Sequence, residues 1–399
     1  MEQWKLKLKE SYSSLIMFFI AAYMVFVIFF TSLTILPMYV IELGGNEFDS
    51  GLQTTLFFIF AVILRFYFGP LADSKGRKLP LLIGTFVFAT SGLFFMLSSE
   101  VWHLTLARLY QSIALATFLS SGSSLVADMA PLKSRGTYIG MYRLIITLGV
   151  LTGPVSALEV IKNHGYNYWF VLTFIGGIIA LGLIMLVKAP PLAVSANTRF
   201  MNSIYTVFKN RALWPIYAGL ALTSICYGAI LTFASLYISQ VSEAVNPGIY
   251  FTYFGISGVL ANISAGYLSD RYGREAIVWP AAIILGVGLI VLAFVPIVPA
   301  TIIISGLLTG IGWSGGIAAF IAWLIDLIED KMRGTVLSIQ ESIIDTFVAL
   351  GSLVFGTLAA IIGMQFSFVV TGSSIVVITV ILLLAPKRCD SKAQNEVGR

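Results

Sequence analysis

The chain has 399 residues, of which 58% are hydrophobic and 11% charged, and it carries a net charge of +5. A soluble domain has about a quarter charged residues, so this composition leaves too little polar surface to face water. A single soluble enzyme domain and a disordered chain are both excluded, and an integral membrane protein of many spans remains.

A bilayer-crossing helix needs about 20 apolar residues. Twelve runs qualify, at about 14–40, 50–72, 79–98, 102–127, 137–160, 166–188, 214–238, 248–268, 276–296, 300–324, 335–361 and 365–385. They are too long and too uniformly apolar for the alternating strands of a β-barrel. The first run exceeds a cleaved signal peptide and lacks a small-residue cleavage site after it, so it reads as a span that stays. The expected fold class is an all-α membrane protein with both termini cytoplasmic. With that orientation, twenty of the 24 Lys and Arg residues fall on the cytoplasmic side and only Lys162 on the other. Arg65, Arg108 and Arg143 lie within spans. This asymmetry is the positive-inside pattern, so the excess basic charge reflects topology and no nucleic-acid partner is implied. Cys226 in a span and Cys389 in the tail are too far apart to form a bridge.

The longest polar interruption, 189–213, contains Pro190, Pro191, Arg199, Lys209 and Arg211. It reads as a cytoplasmic linker between an N-terminal half, 1–188, and a C-terminal half, 214–399. The halves repeat. Gly69-Pro70-Leu71-Ala72-Asp73-Ser74-Lys75-Gly76-Arg77 matches Gly266-Tyr267-Leu268-Ser269-Asp270-Arg271-Tyr272-Gly273-Arg274 at an offset of 197. Asp128 and Arg135-Gly136-Thr137 match Asp326 and Arg333-Gly334-Thr335 at an offset of 198. Duplicated halves around a midplane site are typical of secondary transporters.

On these residues the chain resembles the major facilitator superfamily, which has twelve helices in two six-helix pseudo-repeats. Gly69-x-x-x-Asp73-x-x-Gly76-Arg77-Lys78 is similar to that family's signature between helices two and three. Leu104-x-x-x-Arg108-x-x-Gln111 resembles its second motif, with Ser112 where glycine is usual. Gly149-x-x-x-Gly153-Pro154 resembles the motif of proton-coupled exporters, without its trailing glycines. Together they look most like the twelve-helix drug:proton antiporters of multidrug efflux.

The resemblance implies roles for these positions. Gly69, Asp73, Gly76, Arg77 and Lys78, with Gly266, Asp270, Gly273 and Arg274, become conformational gates on the cytoplasmic side. Arg65, Gly69 and Asp73 share one helix face. Gly69 would permit close helix approach, and Asp73 would meet the N-terminus of helix eleven, near Thr335, across the halves. The alternative is that the basic residues only anchor topology. Arg108 is implied in proton transfer. A charge inside a span costs about 2.5–3.5 kcal/mol, so it should face protein or a water-filled cavity, unless it is a paired or snorkelling structural arginine. Gly149, Gly153 and Pro154 would bias alternating access, or simply pack.

Helices one and seven carry no acid in their spans, whereas Glu341 and Asp345 lie one turn apart in helix eleven. A carboxylate in low dielectric can exchange a proton near neutral pH. Asp345, the deeper, is the first candidate for proton coupling and Glu341 the second. The alternative is a structural pair satisfied by Arg143 or by the basic loops. Glu159 reads as interfacial. Tyr23, Thr31, Thr34, Gln111, Tyr227, Asn262 and Gln340 are polar groups inside spans, and with Phe118, Trp313 and Phe320 they are candidates to line a substrate cavity for amphipathic ligands.

Two enzyme-like patterns, Gly310-x-Gly312-x-x-Gly315 and Gly312-x-Ser314-x-Gly316, sit inside an apolar helix rather than a strand–turn–helix and read as helix packing. His103 and His164 fall in outer loops without metal-ligand spacing, so no metal or enzymatic role is expected. No nucleotide-binding loop occurs, and the proton gradient is the expected energy source without a cofactor. The expected protein is a multi-pass transporter of the bacterial plasma membrane. It acts as a monomer with a small-molecule substrate, protons and membrane lipid as partners, and exports drug-like molecules or metabolites by proton antiport. A specific metallophore exporter, an uptake symporter and a lipid flippase stay open as alternatives.

Overall fold

Lipid offers no hydrogen bonds, so each apolar run must satisfy its own backbone, and a helix is how one segment does so alone. The computed structural model describes residues 2–131, 135–189, 211–242, 245–328 and 333–384, and among these there is no strand. The helices are α1 Glu2–Glu42, α2 Glu47–Lys75, α3 Lys78–Met96, α4 Val101–Met129, α5 Arg135–His164 and α6 Tyr166–Leu186. They continue with α7 Trp214–Val241, α8 Ile249–Tyr272, α9 Glu275–Leu292, α10 Thr301–Asp326, α11 Arg333–Ile362 and α12 Met364–Leu384. Eleven are long and apolar enough to cross a membrane. The exception is α8, where Tyr, Gly, Ser and Asn dilute the apolar character of a helix that is still 24 residues long.

Two boundaries differ from the sequence expectation. The first helix begins at Glu2, a continuation that apolar content cannot reveal. Helix α9 stops at Leu292, because turns over 293–297 and Pro296 and Pro299 end it before the apolar run does. Residues 190–210 of the expected linker and Cys389 lie outside the described residues.

Packing repeats six helices later. Within the first half α1 lies on α5, α2 on α4, and α3 on α4 and α6; within the second, α7 lies on α11, α8 on α10, and α9 on α10 and α12. The halves meet through α2 on α11, α5 on α8 and α1 on α7. Gly76 (φ 94°) and Gly273 (φ 90°) end α2 and α8 at equivalent positions. Both φ values are ones that glycine alone adopts without strain, which explains a glycine at that place in each copy of the loop.

The two ends of the molecule are packed differently. At the predicted external end α2 and α11 touch backbone to backbone. A Cβ at Gly51 would lie 2.5 Å from the Ser352 carbonyl oxygen, and one at Gly356 would lie 2.7 Å from that of Glu47. At the predicted cytoplasmic end, Cβ positions at Gly69, Gly136, Gly140 and Gly266 meet nothing within 4 Å. Among the described residues, the halves therefore touch closely at one end, while these glycines face open space at the other. Gly51→Val forces a methyl-bearing branch into a helix backbone and should cost about 1–3 kcal/mol. The expected outcome is a lower melting temperature of the detergent-solubilised protein, with Gly140→Ala unchanged as the control.

Candidate functional site

The seam between α2 and α11 carries an ion pair between the halves. Arg65 donates from Nη2 to Asp345 Oδ2 at 2.5 Å, and its Nη1 reaches Ser342 Oγ at 3.5 Å. Both charged side chains are mostly buried. One turn before Asp345, Glu341 is exposed and lies in the fields of Asp345, Arg65 and Arg143. Two cations from the first half thus face two acids from the second. Sequence reasoning offered Arg143 or the basic loops as partners for Asp345, and the structure supplies Arg65. The signal was available, since an arginine inside a span needs a partner, but nothing along the chain connects positions 280 residues apart.

Arg108 is fully buried in α4. It donates from Nη1 to Gln111 Oε1 at 2.5 Å, and its guanidinium lies 4.0 Å from the centre of the Phe57 ring. Gln111 passes the contact on, donating to Ser32 Oγ at 3.1 Å and Ser91 Oγ at 3.3 Å. Arg108 Nε and Nη2 have no hydrogen-bond partner, and neither has either amide atom of buried Gln53 in α2. Ser32 and Ser91 also line a cavity of about 10 Å³ with Thr31, room for about one water.

In α5, Gly149 and Gly153 face α1. A Cβ on Gly149 would lie 2.7 Å from the Phe26 Cβ, and one on Gly153 3.0 Å from Thr31 Oγ1. These two glycines therefore pack within the first half. The inter-half contacts of α5 are made by its other face, at Leu151 and Val155.

The gate expectation concerns the outward-facing state, in which the cytoplasmic side is closed, and here Cβ positions at Gly69 and Gly266 meet nothing within 4 Å. Among the described residues, the contacts of the second loop stay within one half. Arg274 bonds Asp270 Oδ1 at 2.5 Å and Asp326 Oδ2 at 2.7 Å, tying α8, α9 and α10 together within one half. The Asp326 hydrogen bond raises the Arg274 pKa above its ordinary value despite a burial penalty. The first half repeats the bridge more loosely, with Arg77 Nε 3.6 Å from Asp128 Oδ2. Lys78 donates to the Met185 carbonyl at 2.8 Å. The side chains of Asp73, Arg333 and Thr335 lie outside the described residues.

The proposed cavity residues do not gather at one site. Gln111 and Thr31 are buried inside the first half, where α1, α3 and α4 pack. Tyr23 shares a hydrogen bond with Thr152 at 2.9 Å. Asn262 is exposed on α8 beside Leu260 and Ile263. Only Tyr227 and Trp313 meet, stacked at 3.8 Å and 14°. Phe118 and Phe320 are fully buried core residues, the first among Phe18, Phe26 and Phe88 and the second against Gly219. Aromatic identity alone cannot separate core from cavity lining, because both favour large apolar rings.

The glycine pattern dismissed as a nucleotide fingerprint is a π-helical turn, Ile311–Gly315, that carries Trp313. Gly310 and Gly312 pack it against α8 and α9 at Phe254 and Ala281. Among the described residues no group of three His, Cys, Asp or Glu is placed to hold a metal.

The comparisons agree with this architecture. The chain is 25% identical to a protein named Multidrug resistance protein MdtG from Salmonella paratyphi A over 349 residues, which cover 84% of this chain and 86% of that one. Its counterpart from Salmonella typhi is 24% identical over the same shares. Among solved structures, the nucleoside transporter NupG superposes with a TM-score of 0.77 at 15% identity, covering 93% of this chain and 98% of that one. A D-xylose-proton symporter gives 0.73 at 16% over 94% and 96%, and a POT family transporter 0.79 at 13% over 93% and 95%. The sequence profile of the Major Facilitator Superfamily matches residues 15–244 and 241–399. The chain belongs to the Major Facilitator Superfamily and is a multi-pass membrane transporter.

Proposed function

We propose that the chain exports small, drug-like organic molecules in exchange for protons, alternating between two faces of a membrane with both termini in the cytoplasm. The observation that carries this reading is the Arg65–Asp345 bridge, a titratable contact in a span that joins the two halves. Protonating Asp345 removes its charge and leaves Arg65 without its counter-ion. In this reading the bridged arrangement is the proton-released form. Exposed Glu341 connects the bridge to the surface. Buried Arg108, with two nitrogens unpartnered, is given the proton-transfer role that its motif resemblance implies. The multidrug name of the relatives supports export and drug-like substrates. The proton gradient supplies the energy, with no cofactor and a single copy of the chain.

Dye efflux from everted vesicles under an imposed proton gradient tests the reading, which fails if efflux by the wild type survives dissipation of that gradient. Asp345→Asn keeps the shape but cannot exchange a proton. Its expected outcome is a drop of about a hundredfold in gradient-driven efflux.

Arg65→Gln leaves a mostly buried acid alone, a loss of about 3–5 kcal/mol. Its melting temperature should fall clearly below that of the Arg65→Gln/Asp345→Asn double variant. Arg108→Gln removes a buried charge that pairs with no carboxylate. It should leave the melting temperature unchanged or higher, while gradient-driven efflux falls by about a hundredfold.

A further inference from the structure

At the predicted external end, the turn leading into α8 reaches across the seam to α5. Asn246 donates from Nδ2 to the Val155 carbonyl at 3.0 Å and to Glu159 Oε2 at 3.2 Å. Its Oδ1 accepts from the Gly248 amide at 2.8 Å, which closes the turn that aims the Nδ2 group. One turn into α8, Thr252 donates to the Leu151 carbonyl at 3.1 Å. These donors of the second half hold two α5 carbonyls on either side of Pro154. Glycine is required beneath them, since a Cβ at Gly248 would run into the Val155 and Pro154 backbone. Glu159 is oriented from its own helix by Asn163, which donates to its carboxylate at 3.3 Å.

A cavity of about 190 Å³ opens between α1, α5 and α7, with Met38, Leu158, Lys162, Ser239 and Asn246 on its walls. At this point the hydrogen bonds add to the close packing of Gly248 on the Val155 backbone and of Gly255 on Leu151.

We infer that Asn246 is the positioning residue of an external gate, clasping Val155 and Glu159 of the opposite half and, with Thr252, holding the outer ends of α5 and α8 together. This rests on the alternating-access reading, in which the clasp must open once per cycle. A carboxylate-assisted clasp suits that duty. Its bonds are local and polar, and water replaces them when the halves part, whereas a packed apolar seam would have to be exposed.

The test is the distance between the outer ends, measured by spin labels at Lys162→Cys and Ile297→Cys, both exposed positions, with Cys389→Ser to remove the tail thiol. Asn246→Asp is the informative variant. An aspartate still accepts from the Gly248 amide and keeps the turn, but it cannot donate to Val155 and it repels Glu159. The ratio of outer-closed to outer-open molecules should fall by roughly tenfold, the effect of losing a hydrogen bond to a charged group. Adding Glu159→Gln replaces the repulsion with a donor and should restore most of the closed population. Thr252→Val should shift the ratio in the same direction by less.

The inference is overturned if Asn246→Asp leaves the distances as in the wild type, or if Glu159→Gln fails to bring them back. A wild type that shows the distance effects but no gradient-driven efflux defeats the antiport reading instead, so the two failures are distinguishable.

Discussion

A charge inside a span has to find its partner within the protein, and in this chain that constraint organises the seam between the halves. Arg65 and Asp345 meet across it, and the surrounding helices are arranged so that they can. The outer ends of α2 and α11 touch closely enough at Gly51 and Gly356 to bring the two helices together. Both helices carry their charge on the face turned toward the other. Lipid gives neither ion an alternative, so the bridge is strongly preferred while Asp345 is charged and loses its reason to exist once Asp345 is neutral. This dependence makes a contact between halves responsive to a proton.

The internal repeat shows where the two-fold pattern is broken. At the repeat offsets, Arg65 corresponds to Asn262 and Asp345 to Thr147, so the α2–α11 seam has a bridge where the α5–α8 seam has neutral groups. Arg143 corresponds to Glu341, and buried Tyr142 to buried Gln340. The α5–α8 seam instead uses Asn246 and Thr252 against backbone carbonyls. One seam is held by an ion pair inside the spans, and the other by neutral donors on backbone carbonyls with the Glu159 carboxylate at its outer edge. Two scaffolds with the same packing thus acquire different chemistry by substitution at a few facing positions, while the Gly76 and Gly273 turns and the Arg77–Asp128 and Arg274–Asp326 bridges remain common to both.

The helices were legible because each had to satisfy lipid by itself, so length and apolarity located them to within a few residues. The exceptions have local causes, such as the turns and prolines that end α9 at Leu292. The repeat was legible because its loops are polar and dense in glycine and charge. Contacts between halves were not. Asp345 could be selected from its own helix, but its partner lies 280 residues away. The open space around Gly69 depends on conformation, which a sequence holding both states does not specify. Phe118 and Phe320 read equally well as core or cavity because burial is decided by neighbours. Asn246, a polar residue in a loop, carried no sign that it reaches another helix.

Most of the external clasp is addressed to backbone. A carbonyl at position 151 or 155 is present whatever side chain stands there, so α5 can change its sequence freely on that face without losing its acceptors. Only the donors and the small residue beneath them, Gly248 above all, are constrained. The backbone arms of the contact can persist while a lineage diverges, and they mark only one of the two segments they join. Pairs of positions that change together would therefore reveal only the Asn246–Glu159 arm. Proteins about a quarter identical to this one could close the same seam with quite different residues on α5.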